Sequence, residues 1–303
     1  MTKDIHRTLD WGQLAPLRLR AKMVAEGVYA GAHRSARKGA GVEFGGHREY
    51  TPGDDLRWLD RRSMMLHDRL LIRQFETETD RALRVVVDAT GSMGYRGTRG
   101  KAAKLAWAAL IAAALAKVAT SSGDPIGLTF IGGGKSARPV PVGSGREAFE
   151  RVASSLEQID AIGDVKSDPD LVERALGGIV RAARRGSIVV VLSDLCDLPP
   201  RALDALAAVS SRGRVLVVGE VLDPDELDFP FDEAVRLKSM EGDLVVETDG
   251  QVRDRYLAAL AEHRDKWRRA ITSRGAEVVT LRTDGDLSHG VREIIDRASR
   301  VRA

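Results

Sequence analysis

Two short stretches of the chain combine carboxylates and hydroxyls at the ends of apolar runs. Asp88-Ala-Thr90-Gly-Ser92-Met93 follows from Leu83–Asp88 (LRVVVD), and Ser193-Asp194-Leu195 follows Ile188–Leu192 (IVVVL). These side chains are hard oxygen donors, the class that Mg²⁺ takes, about six at ~2.0–2.1 Å with several waters retained. Hydroxyls two residues apart on a tight turn can face a single ion, and Gly91 between them lets the backbone bend. The same residue types are also ordinary turn formers and helix caps, so spacing alone leaves a structural turn as the competing reading.

The elements around these stretches decide whether they can meet. From residue 81 onward, short apolar runs alternate with longer helical patterns. Strands are predicted at Leu83–Asp88, Ile126–Ile131, Ile188–Leu192, Val215–Val221 and Glu277–Leu281. Helices are predicted at Lys101–Thr120, from a Ser144/Glu147 capping box to Asp160, from Asp168-Pro169 to Arg185, and over Pro200–Ser210, Asp254–Ser273 and Ser288–Arg300. Strands apolar throughout and separated by helices predict an α/β fold, a mostly parallel sheet with helices on both faces. In such a sheet, groups just past the carboxyl ends of strands meet in one crevice, which would bring Asp88 and Asp194 together. A hairpin insertion is expected at 233–248. Residues 1–80 read as an N-terminal arm with a helix over Leu14–Tyr29, a basic loop at His33–Gly41, and strands at Val42–Tyr50 and Leu70–Phe75. Residues 81–303 form the α/β domain.

Composition narrows the function classes. Lys and Arg number 47 against 44 Asp and Glu, a net charge of +3, which gives no electrostatic argument for nucleic acid. The one cysteine, Cys196, excludes an intramolecular disulfide and a cysteine zinc cluster, and fits a reducing compartment. The apolar run Leu105–Ala116 is shorter than the ~20 residues that span a bilayer and reads as a buried core helix. With charges where a signal peptide would be apolar, the expectation is a cytoplasmic protein with no membrane insertion.

The Asp88-x-Thr90-x-Ser92 stretch resembles the D-x-S-x-S signature of von Willebrand factor A-like domains, which opens their metal-ion-dependent adhesion site. The resemblance implies a Mg²⁺ (or Mn²⁺ or Ca²⁺) site built from Asp88, Thr90, Ser92, Ser167 and Asp194. Ser167, in Lys166-Ser167-Asp168, stands where that family has a threonine, and Asp164 competes for the role. Asp88 and Asp194 would act largely through water. A longer motif lies upstream, where Arg48-Glu-Tyr50-Thr-Pro-Gly53-Asp54-Asp-Leu-Arg57-Trp-Leu-Asp60 is similar to the hallmark of the domain-of-unknown-function 58 family. Arg61 stands where that pattern has tryptophan, with Trp58 close by. The likeness continues through Gln74-Phe-Glu76 and Leu222-Asp-Pro-Asp-Glu226. It implies a von Willebrand A-like protein paired with a MoxR-type AAA+ ATPase. Arg48, Tyr50, Gly53, Asp54, Arg57 and Asp60 would form a partner-contact or structural motif, in the second case with Arg48, Arg57 and Asp60 tying the arm to the core as an ion-pair network.

Other signals carry less. Gly132-Gly-Gly-Lys135-Ser136 lacks the first glycine of a phosphate loop, and Pro139 and Pro141 bar the helix that must follow, so a turn between strands is expected. The six histidines lack metal-binding spacing, and Ser193 is not in a nucleophile elbow. Arg34–Lys38 and Arg264–Arg269 read as solvated basic faces. The reading is a non-catalytic, metal-dependent interaction module whose partner offers a Glu or Asp carboxylate, with no nucleic acid. The alternative is a Mg²⁺-dependent hydrolase or phosphoryl-transfer enzyme using the same carboxylates, with Arg96, Arg99 and Lys101 as its cations.

Overall fold

The structure, a computed structural model, describes residues 16–32, 44–49, 71–75, 82–165, 167–196, 198–230, 236–238, 245–247 and 250–300. The chain divides into two units, Ala32–Thr79 and the remainder. In the small unit, β1 (Phe44–Glu49) and β2 (Leu71–Phe75) pair antiparallel, with Arg48 opposite Ile72. Of the hallmark residues, Arg48 lies in β1, while Tyr50, Gly53, Asp54, Arg57 and Asp60 lie outside the described residues, as does the basic loop at 33–41. Helix α1 (Leu17–Ala32) departs from the expected grouping with the arm. It packs with the large unit, where Arg18 bonds Ser154 and pairs with Glu150 and Glu157, and the Tyr29 hydroxyl donates to the Val118 carbonyl.

Six strands form the central sheet of the large unit: β3 (Leu83–Ala89), β4 (Ile126–Gly132), β5 (Val140–Gly143), β6 (Ile188–Ser193), β7 (Val215–Leu222) and, after the β8 (Arg236–Lys238) and β9 (Val245–Glu247) hairpin, β10 (Glu277–Arg282). Their order is β10-β7-β6-β3-β4-β5, parallel except for β5, which runs antiparallel on the edge. β5 is the strand that follows the predicted turn, and Pro141 lies within it.

Side-chain alternation splits the core. Val85, Val87, Leu128, Val190, Leu192 and Val217 face α2 (Lys104–Ser121), α3 (Gly145–Glu157), α8 (Leu287–Arg300) and α1. Val86, Ile131, Val189, Val191 and Val218 face α4 (Leu171–Ala182), α5 (Ala202–Ser210) and α7 (Gly250–Thr272). Each fully buried valine contributes roughly 1.5–3 kcal/mol of transfer free energy, so a one-residue register slip is strongly disfavoured. α2 is buried almost all round. Among the described residues it is the one helix long and apolar enough to cross a membrane, and 78% of it is covered by the fold, as a core helix requires.

Two expected caps take another form. Ser144 is the N-cap of α3, but its side chain makes no cap bond. α4 starts at Leu171 with Asp170 at the N-cap, and the Asp168 carboxylate is bound by Arg174. A complete capping box forms at Asp223 and Glu226, opening the short helix α6 (Pro224–Asp228), which the periodicity did not reveal. The basic stretch 264–269 is only partly a solvated face. Trp267 is in the core, and Arg264 grips buried Glu220 with two bonds of 2.7 and 2.9 Å.

Candidate metal centre

The chain runs from β3 outward to β4 and β5, then returns to place β6 on the other side of β3. The carboxyl ends of β3 and β6 are therefore the switch point of the sheet, where a crevice opens between diverging connections. Val87 pairs with Leu192, which sets Asp88 level with Ser193. The Ser193 hydroxyl donates to Asp88 Oδ2 at 2.6 Å and accepts the Leu195 N–H at 3.0 Å. That second bond winds the loop tightly, and Leu195 takes a left-handed φ of 60°. Non-glycine residues hold such a conformation only where their surroundings enforce it. Here the Leu195 carbonyl meets His263 Nε2 of α7 at 3.0 Å, and the leucine side chain is buried.

On the β3 side, Asp88 Oδ1 accepts the Thr90 N–H at 3.0 Å and the Thr90 hydroxyl at 2.7 Å. The Thr90 and Ser92 hydroxyls lie 3.3 Å apart, and the Ser92 side chain hydrogen-bonds to Asp194. Asp88, Thr90, Ser92 and Asp194 are thus one connected cluster, buried except for half-buried Ser92. Ser167 is not part of it. Its exposed hydroxyl donates to Asp164 Oδ2 at 2.6 Å. The loop reaches the Asp88 turn through backbone instead: Gly91 N–H bonds the Gly163 carbonyl, and Ile162 N–H bonds the Ala89 carbonyl, both at 2.9 Å.

The sequence reading missed a cation in this cluster. Lys104, the first residue of α2, is 1% exposed, and its ammonium sits 2.8 Å from Asp194 Oδ2 and 2.5 Å from Glu226 Oε1. Glu226 Oε2 accepts the Asp223 N–H at 3.0 Å. The Lys104 ammonium also lies 5.7 Å from the centre of the Tyr95 ring. The visible signal was a lysine at the start of a helix otherwise buried all round, at the end where the helix dipole disfavours a cation.

The electrostatics follow from burial and charge. Burial, and then the Asp194 charge, push Asp88 up to about 6. Burial works against ionisation of Asp194 as well, but the Lys104 ammonium overcomes it and holds the carboxyl below its ordinary value. Lys104 is held well above the ordinary lysine range, because Asp194 and Glu226 outweigh its desolvation. Glu226 is raised, burial outweighing Lys104.

A raised Asp88 has a testable consequence. The folded chain holds its proton more tightly than the unfolded chain between about pH 4 and 6. Metal-free stability contributed by this group therefore falls as pH rises through that window. Asp88→Asn abolishes the slope. It is expected to stabilise the chelator-treated protein at pH 7 by about 1–3 kcal/mol relative to wild type, the gap closing below pH 4. Urea unfolding of both proteins across this range measures it; equal midpoints at pH 7 would contradict it.

The donor set fits a hard divalent ion. Oxygens on adjacent octahedral positions at ~2.1 Å from an ion lie about 3.0 Å apart, close to the Thr90–Ser92 separation of 3.3 Å. Two carboxylates, Asp194 and Glu226, meet the one ammonium, and Asp88 feels the Asp194 charge, leaving negative charge for a cation to offset. Among the described residues no group of three His, Cys, Asp or Glu side chains is set to hold a metal, so an ion here would depend on hydroxyls and water. The cations that phosphoryl chemistry would need are engaged elsewhere. Arg99 binds Asp225, Asp228 and the Pro224 carbonyl, Lys101 donates to the Gly285 carbonyl, and Arg96 Nε donates to the Gly100 carbonyl.

Uncharacterised protein Rv1480 of Mycobacterium tuberculosis is 32% identical over 294 residues, covering 94% of this chain and 88% of the relative. The same figures hold for uncharacterised protein Mb1516 of Mycobacterium bovis. Similar solved structures include the conserved hypothetical protein BatB from Bacteroides thetaiotaomicron, at 16% identity and TM-score 0.44, covering 73% of this chain and 99% of that one. A von Willebrand factor type A protein from Catenulispora acidiphila matches at 13% identity and TM-score 0.39, over 75% and 44% of the two chains. The family model described as protein of unknown function DUF58 matches residues 46–266, nearly three quarters of the sequence, and the chain belongs to that family.

Proposed function

We propose that the carboxyl edge of the sheet is a metal-dependent protein-interaction site. The observation that carries this reading is the convergence of Asp88, Thr90, Ser92 and Asp194 at the switch point, with the two hydroxyls side by side. Thr90 and Ser92 would hold a Mg²⁺ ion. Asp88, whose oxygens already accept bonds from Thr90 and Ser193, would orient the hydroxyls and supply charge, and Asp194 would offer the ion its negative oxygen from β6, directly or through water. A bound Mg²⁺ supplies an electrophilic centre for an oxygen ligand from outside. Half-buried Ser92 marks the side from which a partner carboxylate would approach. The partner we propose is the one the family resemblance implies, a MoxR-type AAA+ ATPase presenting a Glu or Asp.

The reading predicts that millimolar Mg²⁺ or Mn²⁺ raises the thermal midpoint of the wild type. An ion at 100 times its Kd adds about 2.7 kcal/mol, a shift of several degrees for a chain of this size. Ser92→Ala is expected to lose most of that shift. A shift of equal size in both proteins would place the ion elsewhere. Asp88→Ala and chelator are each expected to abolish capture of the purified ATPase; capture that persists under both would end the metal-bridged reading.

A further inference from the structure

Lys104 brings a second cation to the carboxylate that a divalent ion would use. Its ammonium has two carboxylate anchors of different depth: Asp194, whose side chain is 2% exposed, and Glu226, whose side chain is 19% exposed. Asp194 has little capacity to spare. Oδ2 accepts Lys104, Oδ1 accepts the Cys196 N–H at 3.1 Å, and Ser92 also bonds the carboxylate. An ammonium and a divalent ion both seek the negative oxygen of Asp194, and repel one another when both are near it. A buried ammonium released from its only partner would be left unpaired at prohibitive cost. Glu226 removes that obstacle, because it already touches the ammonium and is itself fixed by the Asp223 N–H.

We infer that Lys104 is a built-in competitor of the metal: the ammonium and the ion take Asp194 in turn, and Glu226 keeps the ammonium when the ion enters. This rests on the metal reading above. Apparent affinity is then set by an exchange rather than by the oxygen donors alone, since only the fraction of molecules with Asp194 released accepts the ion. The arrangement also explains a sequence oddity. A cation stands at the unfavourable end of α2 because it balances the site when the ion is absent.

The test is a Mn²⁺ titration of the whole chain, read by the spectroscopic signal of free Mn²⁺, with folding checked by circular dichroism. Lys104→Met is expected to bind Mn²⁺ about tenfold or more tightly than wild type. Glu226→Gln is expected to bind about tenfold more weakly, because the displaced ammonium loses its second anchor. Lys101→Met removes a neighbouring cation that donates to the Gly285 carbonyl and not to Asp194, and is expected to stay within about twofold of wild type. A folded Lys104→Met chain with unchanged or weaker affinity overturns the proposal, as does a Lys101→Met chain that gains as much. Should Lys104→Met fail to fold, unchanged affinity in Glu226→Gln is the overturning result. Absence of Mn²⁺ binding in every chain, wild type included, is the distinct failure of the metal reading, and the competition falls with it.

Discussion

In chelator, Lys104→Met is expected to lower the unfolding free energy by about 3–5 kcal/mol, the cost of removing one partner from a buried ion pair. The substitution keeps most of the side-chain volume and deletes only the ammonium, so cavity formation contributes little. What remains is Asp194, 3% exposed, and Glu226 beside the vacated position, with Asp88 already raised by burial and by the Asp194 charge. For a chain of this size the loss corresponds to a midpoint roughly 10 °C lower. Thermal unfolding followed by circular dichroism measures it, and added Mn²⁺ is expected to recover part of the loss. A drop of less than about 1 kcal/mol would mean that Asp194 finds its compensation elsewhere.

Gly132→Ala is the second large effect, and it acts through backbone. Gly132 ends β4 at φ +74, and a Cβ built there would lie 2.9 Å from the Ile162 carbonyl oxygen, 3.2 Å from the Ala89 carbonyl oxygen and 3.2 Å from Thr90 N. These are main-chain atoms of the Asp88 turn and of the loop bonded to it, so no flexible side chain can yield. Left-handed strain and crowding together are expected to cost about 2–4 kcal/mol in urea unfolding. The displaced Thr90 is also expected to erase the Mg²⁺-dependent thermal shift. Gly123→Ala provides the contrast. Gly123 has φ +85 with nothing within 4 Å of a built Cβ, so only the conformational penalty of about 1 kcal/mol applies. Equal losses at the two positions would show that crowding behind Thr90 is not the cause.

The architecture was legible because its signal is local and repeated. Val85–Val87 and Ile188–Leu192 are apolar at every position, as strands covered on both faces must be, and the acidic residue that follows each run, Asp88 or Asp194, lands at the sheet's carboxyl edge. Asp88, Thr90, Ser92 and Asp194 could be named for that reason. Lys104 and Glu226 could not. They are 16 and 138 residues from Asp88: the lysine's place at the unfavourable end of an apolar helix is odd but does not point to Asp194, and nothing local distinguishes the glutamate from one in a polar turn. Their meaning exists only once β7 delivers α6 beside the start of α2. Ser167 misled because its motif fixes the loop but not the side chain, whose hydroxyl found Asp164 three residues away. The capping pattern at Ser144 shows the same limit: a matching spacing permits reciprocal bonds without compelling them. At Asp223 the bonds do form, with Asp225 N–H on Asp223 and Glu226 turned back to the Asp223 N–H.

The outermost strand carries one more implication. β5 is short, antiparallel and, among the described residues, paired on one side alone. Pro141 lies within it and Pro139 just before it, and neither has an N–H to offer an incoming chain. That border therefore resists templated growth, and crowded copies of this protein cannot polymerise by stacking ribbon onto ribbon there.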